Sequence, residues 1–187
     1  MTYPHFQWRI LANDQPPTDW QQAFETWARQ TDWHSPFLNV VGQLLWQRGW
    51  RQLQDIQGFL DVASYQPTPA TAFGEEMTWA IARLQQAHLH CEKVAIWGDF
   101  DADGLTATAV LWEGLGQFLP PPDQLRYYIP NRFTESHGLS QQGLDELAAW
   151  GCQLIVTCDT GSTATAELAY AHSLGMDVIV TDHHTLP

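Results

Sequence analysis

The apolar positions keep one spacing up to about residue 92 and another beyond it. In the first stretch they recur every three or four residues between capping and breaking residues, the spacing of helices with one buried face. Thr18 or Asp19 can cap a helix running to about residue 30, and Ser35-Pro36 supplies a cap and a first-turn proline for a second that ends near Gly49. Residues 52–61 read as a third helix. Glu75 to His90 reads as a fourth, with Met77, Ala80, Ile81 and Leu84 on its buried face. The segment from Tyr65 to Thr71, broken by Pro67 and Pro69, connects these last two.

Beyond residue 92, short apolar runs alternate with helical stretches. KVAIWG (93–98), LRYYIP (125–130), QLIVTC (153–158) and MDVIVT (176–181) have strand character, and Gly104 to Phe118, Ser140 to Trp150 and Thr163 to Leu174 have helical composition between them. This alternation predicts an α/β fold: a parallel sheet with helices on both faces, preceded by a small helical N-terminal region, with the division at 1–91 and 92–187. In such a sheet the strand ends that precede helices gather at one edge, where ligands bind.

Composition narrows the functional classes. With 187 residues and 44% hydrophobic content, folding can bury roughly 70% of the accessible surface. Against 8 Lys and Arg stand 21 Asp and Glu, a formal net charge of -13 that excludes sequence-independent coating of DNA as the main activity. Every basic residue except Lys93 is Arg, which favours forked anion contacts. Cys91, Cys152 and Cys158 lack CxxC spacing, which argues against a disulfide framework or a structural zinc and fits a reducing cytoplasm. MTYPHFQWRILANDQPP has no basic lead followed by an apolar run, and no apolar run reaches membrane-spanning length, so a soluble cytoplasmic protein without membrane contact is expected. The ten Trp residues follow no fixed interval and are expected in core and helix packing.

The chemistry gathers at the ends of the strands. After the first comes Gly98-Asp99-Phe100-Asp101-Ala102-Asp103-Gly104, whose three alternating carboxylates project to one side if the chain stays extended. The positive end of the following helix offsets part of their repulsion, and a divalent cation is called for. An EF-hand loop also begins D-x-D-x-D-G, but its twelfth position falls on Val110 where a bidentate Glu is required. Asp159 ends the third strand in VTCDTGS, and Asp182-His183-His184 ends the fourth. A single Asp at such a place is a helix cap and a single His a solvated residue; three strand ends repeating the pattern point to a metal centre. Carboxylate and imidazole donors without thiolate favour Mn²⁺ or Mg²⁺, and a carboxylate able to bridge favours two ions.

WGDFDADGLTATA, VTCDTGS and VTDHH resemble the first three motifs of the DHH phosphoesterase superfamily. RGWRQLQDIQGFL, the Glu92-Lys93 lead and YYIPNRFTESHGL are similar to RecJ-type single-stranded-DNA exonucleases, so the resemblance covers nearly the whole chain. It implies processive 5′ to 3′ removal of mononucleotides from single-stranded DNA in repair and recombination, dependent on Mn²⁺ or Mg²⁺. A single-strand-binding protein and a helicase are the protein partners it implies. Carried across, Asp99, Asp101, Asp103, Asp159 and His183 would be metal ligands, with Asp159 the bridge. Asp182 would support the adjacent histidine, and His184 would face the scissile phosphate. Two ions would lower the pKa of a shared water and neutralise charge developing on the phosphate. Arg132 is a candidate phosphate contact, with a structural salt bridge as the alternative.

Two departures stand out. Where the family shows Gly-Tyr-Gly this chain has Ser136-His137-Gly138, so His137 either replaces a ring that stacks on substrate or is a solvated loop residue. The sequence also stops three residues after His184, whereas the family continues with a further Asp-bearing motif, a cleft-closing domain and an oligonucleotide-binding domain. A C-terminally truncated piece, weakly active or inactive alone, is therefore expected. Two other readings remain: another DHH phosphoesterase acting on short oligonucleotides, cyclic dinucleotides or pyrophosphate, and a noncatalytic binding module that kept the fold.

Overall fold

The computed structural model describes residues 14–31, 33 and 35–185. The expectation about the N-terminal stretch concerns mainly residues 1–13, which lie outside them. The chain divides into two compact units, one ending at Pro69 and the other beginning at Ala70. The change of pattern near residue 92 thus marks the start of the strands, while the helix before it belongs to the second unit.

The first unit contains α1 (Thr18–Gln30), α2 (Leu38–Gln47) and α3 (Leu53–Leu60). Buried Phe24, Leu45 and Ile56 form its core, with Trp20, Trp27, Trp33 and Trp50 packed around them. Wide rings let three short helices enclose an apolar centre, and aromatic pairs such as Trp20 and Phe24, stacked at 5.7 Å, add to the burial. Neither expected cap forms. Thr18 is already helical, with Pro17 in the cap position and no side-chain cap. The Ser35 hydroxyl accepts from the Phe37 N–H two residues on at 3.2 Å, a local turn that delays α2 to Leu38.

The second unit contains α4 (Glu75–Leu89), β1 (Lys93–Trp97), α5 (Ala102–Leu115), β2 (Leu125–Tyr128), α6 (Gln141–Trp150), β3 (Cys152–Cys158), α7 (Thr165–Ser173) and β4 (Asp177–Thr181). The four strands form one parallel sheet in the order β2-β1-β3-β4. Period-two alternation sends Val94, Ile96, Leu154, Val156 and Cys158 to one face, where Ala87 of α4 and Leu111 of α5 pack. Ala95, Trp97 and Ile155 point to the other, against Leu144 and Leu147 of α6 and Ala171 of α7. Burying each such Leu, Ile or Val contributes about 1.5–3 kcal/mol. On the face expected for α4, Met77, Ala80 and Leu84 are half-buried and lead to the enclosed Ala87, but Ile81 is exposed. Trp79 likewise stands out in solvent, unlike the enclosed Trp97.

Local signals fix the element ends. The Ser140 hydroxyl caps α6 by accepting from the Gly143 N–H, and Gly151 ends it at φ 87°, a left-handed backbone that costs glycine nothing. At the edge where the strands begin, Arg83 of α4 meets Glu92 at 2.7 Å and Asp177 at 2.6 Å. There too the Lys93 ammonium donates to the Trp150 carbonyl, and the Arg126 guanidinium lies 4.6 Å from the Trp150 ring. Among the described residues no helix is long and apolar enough to cross a membrane.

Candidate metal centre

Because β3 lies between β1 and β4 and all run the same way, their C-terminal ends open side by side at one edge. Three loops carry the expected residues there. The first does not stay extended. It folds over the first turn of α5, which begins at Ala102, so Asp103 is helical and Asp101 is the cap. One Asp101 oxygen accepts from the N–H groups of Asp103 and Gly104, both at 3.0 Å. A side chain at position 104 would lie 2.5 Å from the Asp99 backbone, so only glycine admits this approach.

The three carboxylates therefore have different surroundings. Asp99, 6% exposed, accepts from the Phe100 N–H at 2.6 Å through one oxygen and contacts His137 Nδ1 at 2.8 Å through the other. Asp101 lies within hydrogen-bonding reach of Asp159, and its carboxyl is held below the usual range, chiefly by the Gly104 N–H. Asp103 borders a cleft of about 550 Å³ that Asp159, Asp182 and His183 also line.

Asp159 follows β3 in a left-handed conformation, φ 61°, which aspartate tolerates better than most residues. Its N–H donates to the Thr181 carbonyl at 3.0 Å, joining the end of β3 to β4. The residue is 8% exposed, and its carboxylate meets His183 Nε2 at 2.9 Å. Asp182 gathers four bonds: from the Ser162 N–H at 3.0 Å, from the N–H groups of His183 and His184 at 2.8 and 3.1 Å, and from His184 Nδ1 at 2.6 Å. Burial disfavours its charge, yet the Ser162 and His184 bonds prevail and hold the carboxyl far below its ordinary value. The same contact raises the His184 imidazole above its own. Asp182 thus supports the ring of His184, while its contact with His183 is through the backbone.

Asp159, His183 and His184 each offer a donor atom within 4.8 Å of the other two. His184 stands here as a possible ligand, although the sequence placed it on the substrate. Oxygen and imidazole donors of this kind suit a hard divalent cation. The nearby thiol takes another role: Cys158 is buried against the Thr108 hydroxyl, and burial pushes it up, away from the thiolate form a metal requires. Among the described residues the ion-pair partners of Asp99, Asp159 and Asp182 are all histidines. The residues present fit a bound divalent ion.

The loop between β2 and α6 brings Arg132 and His137 to the same edge. Arg132 makes no ion pair among the described residues; its guanidinium lies 5.4 Å from the Phe100 ring. His137 stays exposed, as a solvated loop residue would, but one ring nitrogen is bonded to Asp99 and the ring packs on Phe100 with centroids 4.1 Å apart. Sequence reasoning missed Glu135, the organiser of this loop. Its carboxylate accepts from Tyr128, Ser140 and the Asn131 N–H at 2.7, 3.1 and 2.8 Å. Burial, then this bond, pushes the Tyr128 phenol up to about 12. No spacing rule links these four residues, which meet only through the fold.

Residues 93–187 match the model of the DHH family, N-terminal domain. Over 148 residues the chain is 38% identical to the single-stranded-DNA-specific exonuclease RecJ of Bacillus subtilis, a match that covers 78% of this chain and 18% of that protein. It is 44% identical over 112 residues to the protein of the same name from Salmonella typhimurium, covering 58% of this chain and 19% of that one. Its fold is similar to RecJ of Thermus thermophilus in complex with Mn²⁺, with TM-score 0.57, 27% identity, and coverage of 91% of this chain and 22% of the other. The chain spans about a fifth of the length of the curated relatives it matches.

Proposed function

Since the chain belongs to the DHH family, we propose that it is the N-terminal catalytic portion of a RecJ-type 5′ to 3′ exonuclease on single-stranded DNA. The observation that carries this is the convergence of Asp159, His183 and His184 within 4.8 Å at a strand edge where Asp101 also lies. Asp101, Asp159, His183 and His184 would hold two Mn²⁺ or Mg²⁺ ions between them, with Asp103 at the border of the site. Such ions supply a nucleophilic water at neutral pH and neutralise charge developing on phosphate.

The chain's own residues do the rest. Asp159 is tied by its backbone N–H to the end of β4, which places its carboxylate where it would help hold a divalent ion. Asp182 keeps a proton on His184 Nδ1, which leaves His184 Nε2 free to meet an ion or a phosphate oxygen. Asp99 holds the ring of His137 at the same edge, and a metal ion would compete with His137 for its carboxylate. Arg132, without a carboxylate partner among the described residues, is available to a phosphate.

The test is a substrate panel with Mn²⁺, run on a protein of its relatives' length that carries this chain, since the chain alone is expected to be weakly active or inactive: single-stranded DNA, duplex DNA, dinucleotides, cyclic dinucleotides and pyrophosphate. Mononucleotide release from single-stranded DNA above all others, lost in Asp159→Ala, is the expected result. Preferred turnover of a dinucleotide or of pyrophosphate would overturn the assignment. A single-strand-binding protein and a helicase are the partners this reading carries, and a cytoplasmic location goes with them.

A further inference from the structure

The loop from residue 129 to 139 is tied down along its length, yet it displays one ring that nothing covers. Glu135 binds it to Tyr128, Asn131 and Ser140. The Asn131 side chain accepts from the Phe133 N–H at 3.0 Å, and its carbonyl accepts from the N–H groups of Thr134 and Glu135 at 3.0 and 2.8 Å. At the far end the Trp97 indole donates to the Gly138 carbonyl at 3.3 Å. Within this frame Phe133 is 90% exposed, the most exposed Phe, Tyr or Trp among the described residues.

The other aromatic groups of the site are engaged. Phe100 packs on His137 and lies under Arg132. His137 is exposed too, but its ring is held by the bond to Asp99 and by packing on Phe100. Among the described residues Phe133 offers the barest carbocyclic ring, and it directly follows Arg132, the cation at the carboxylate edge. A cation beside an aromatic face is what a single strand meets, phosphate on one and unpaired base on the other. A duplex conceals those base faces.

We infer that Phe133 is the side chain on which an unpaired base of the bound strand stacks, giving a preference for single strands without a preference for sequence. This rests on the single-strand nuclease reading. Base–aromatic stacking of ordinary strength corresponds to roughly a tenfold change in affinity.

The experiment measures anisotropy of a 3′-labelled oligo(dT) and of an abasic strand of equal length, in chelator so that neither is cut, with the native chain, Phe133→Ala, Phe133→Leu and Phe133→Trp. Alanine and leucine should each weaken oligo(dT) binding about tenfold, tryptophan should restore it, and all four proteins should bind the abasic strand alike. Native-like binding of oligo(dT) by Phe133→Ala or Phe133→Leu would overturn the stacking role, as would an equal loss on the abasic strand. Failure of the native chain to bind oligo(dT) any better than the abasic strand would also overturn the stacking role, whereas the nuclease reading is decided separately by the substrate panel.

Discussion

At the edge where the strands begin, Glu92 and Asp177 close on the guanidinium of Arg83. At the edge where they end, the ion-pair partners of Asp99, Asp159 and Asp182 among the described residues are histidines alone. The two edges belong to one sheet, and both hold carboxylates out of water. A permanent charge neutralises the first group, which makes it structural: Arg83 stays protonated at any working pH and links α4 to the strand starts. Imidazoles can give up a proton, so the second group keeps donor atoms that a divalent cation can take. The difference separates acidic residues that hold the fold from those held by it.

Removing Arg83 is the severest challenge to that contrast. Arg83→Leu leaves Glu92 buried without its cation and should cost about 3 kcal/mol in urea unfolding, toward the lower end for a broken buried pair. A loss below about 0.5 kcal/mol would make the cluster incidental. Next comes the opposite edge. In chelator, Asp159→Asn should change stability by no more than about 0.5 kcal/mol, because asparagine accepts the left-handed backbone and a buried charge is removed. Added Mn²⁺ at a hundredfold excess over its dissociation constant should stabilise the native chain by about 2.7 kcal/mol and leave the variant unmoved. A variant already unfolded in chelator would make Asp159 structural, like Glu92.

Much of this architecture is legible in the order of residues alone. The alternation of apolar runs with helical stretches dictates the parallel sheet, and with it the single edge where Asp159 and Asp182 have to meet. The separate carboxylate roles are not legible, because they depend on where α5 begins. An extended loop would put Asp99, Asp101 and Asp103 on a shared side. The two N–H groups that Asp101 caps pull the helix start back to Ala102 and turn Asp99 toward His137. The pairing of Asp182 with His184 is hidden for a similar reason: the turn after β4 decides which ring folds back. Glu135 carries no signal, since its partners come from a strand, a loop and a helix cap.

A smaller effect tests the frame of the substrate loop. Ser140→Ala removes the cap of α6 and one bond to Glu135, and should cost about 1 kcal/mol in thermal unfolding with Mn²⁺ affinity unchanged. An unaltered melting temperature would show that Glu135 holds the loop without it. The smallest effect is one of pH. His184 should titrate above the ordinary histidine value in NMR, and Asp182→Asn should return it to that value. The raised imidazole contributes stability fully present below its unfolded pKa and lost as pH rises through the folded one. The depressed Asp182 carboxyl contributes stability present above its unfolded pKa and lost as pH falls through the folded one. An ordinary His184 titration in the native chain would break the pair.

The most direct test is calorimetric titration of Mn²⁺ into the native chain and into Asp159→Asn, with Arg83→Lys as a control that keeps a cation at the far edge. Binding by the native chain and the control, abolished in Asp159→Asn, is the expected result. Equal binding by Asp159→Asn and the native chain would contradict a metal centre at the strand ends.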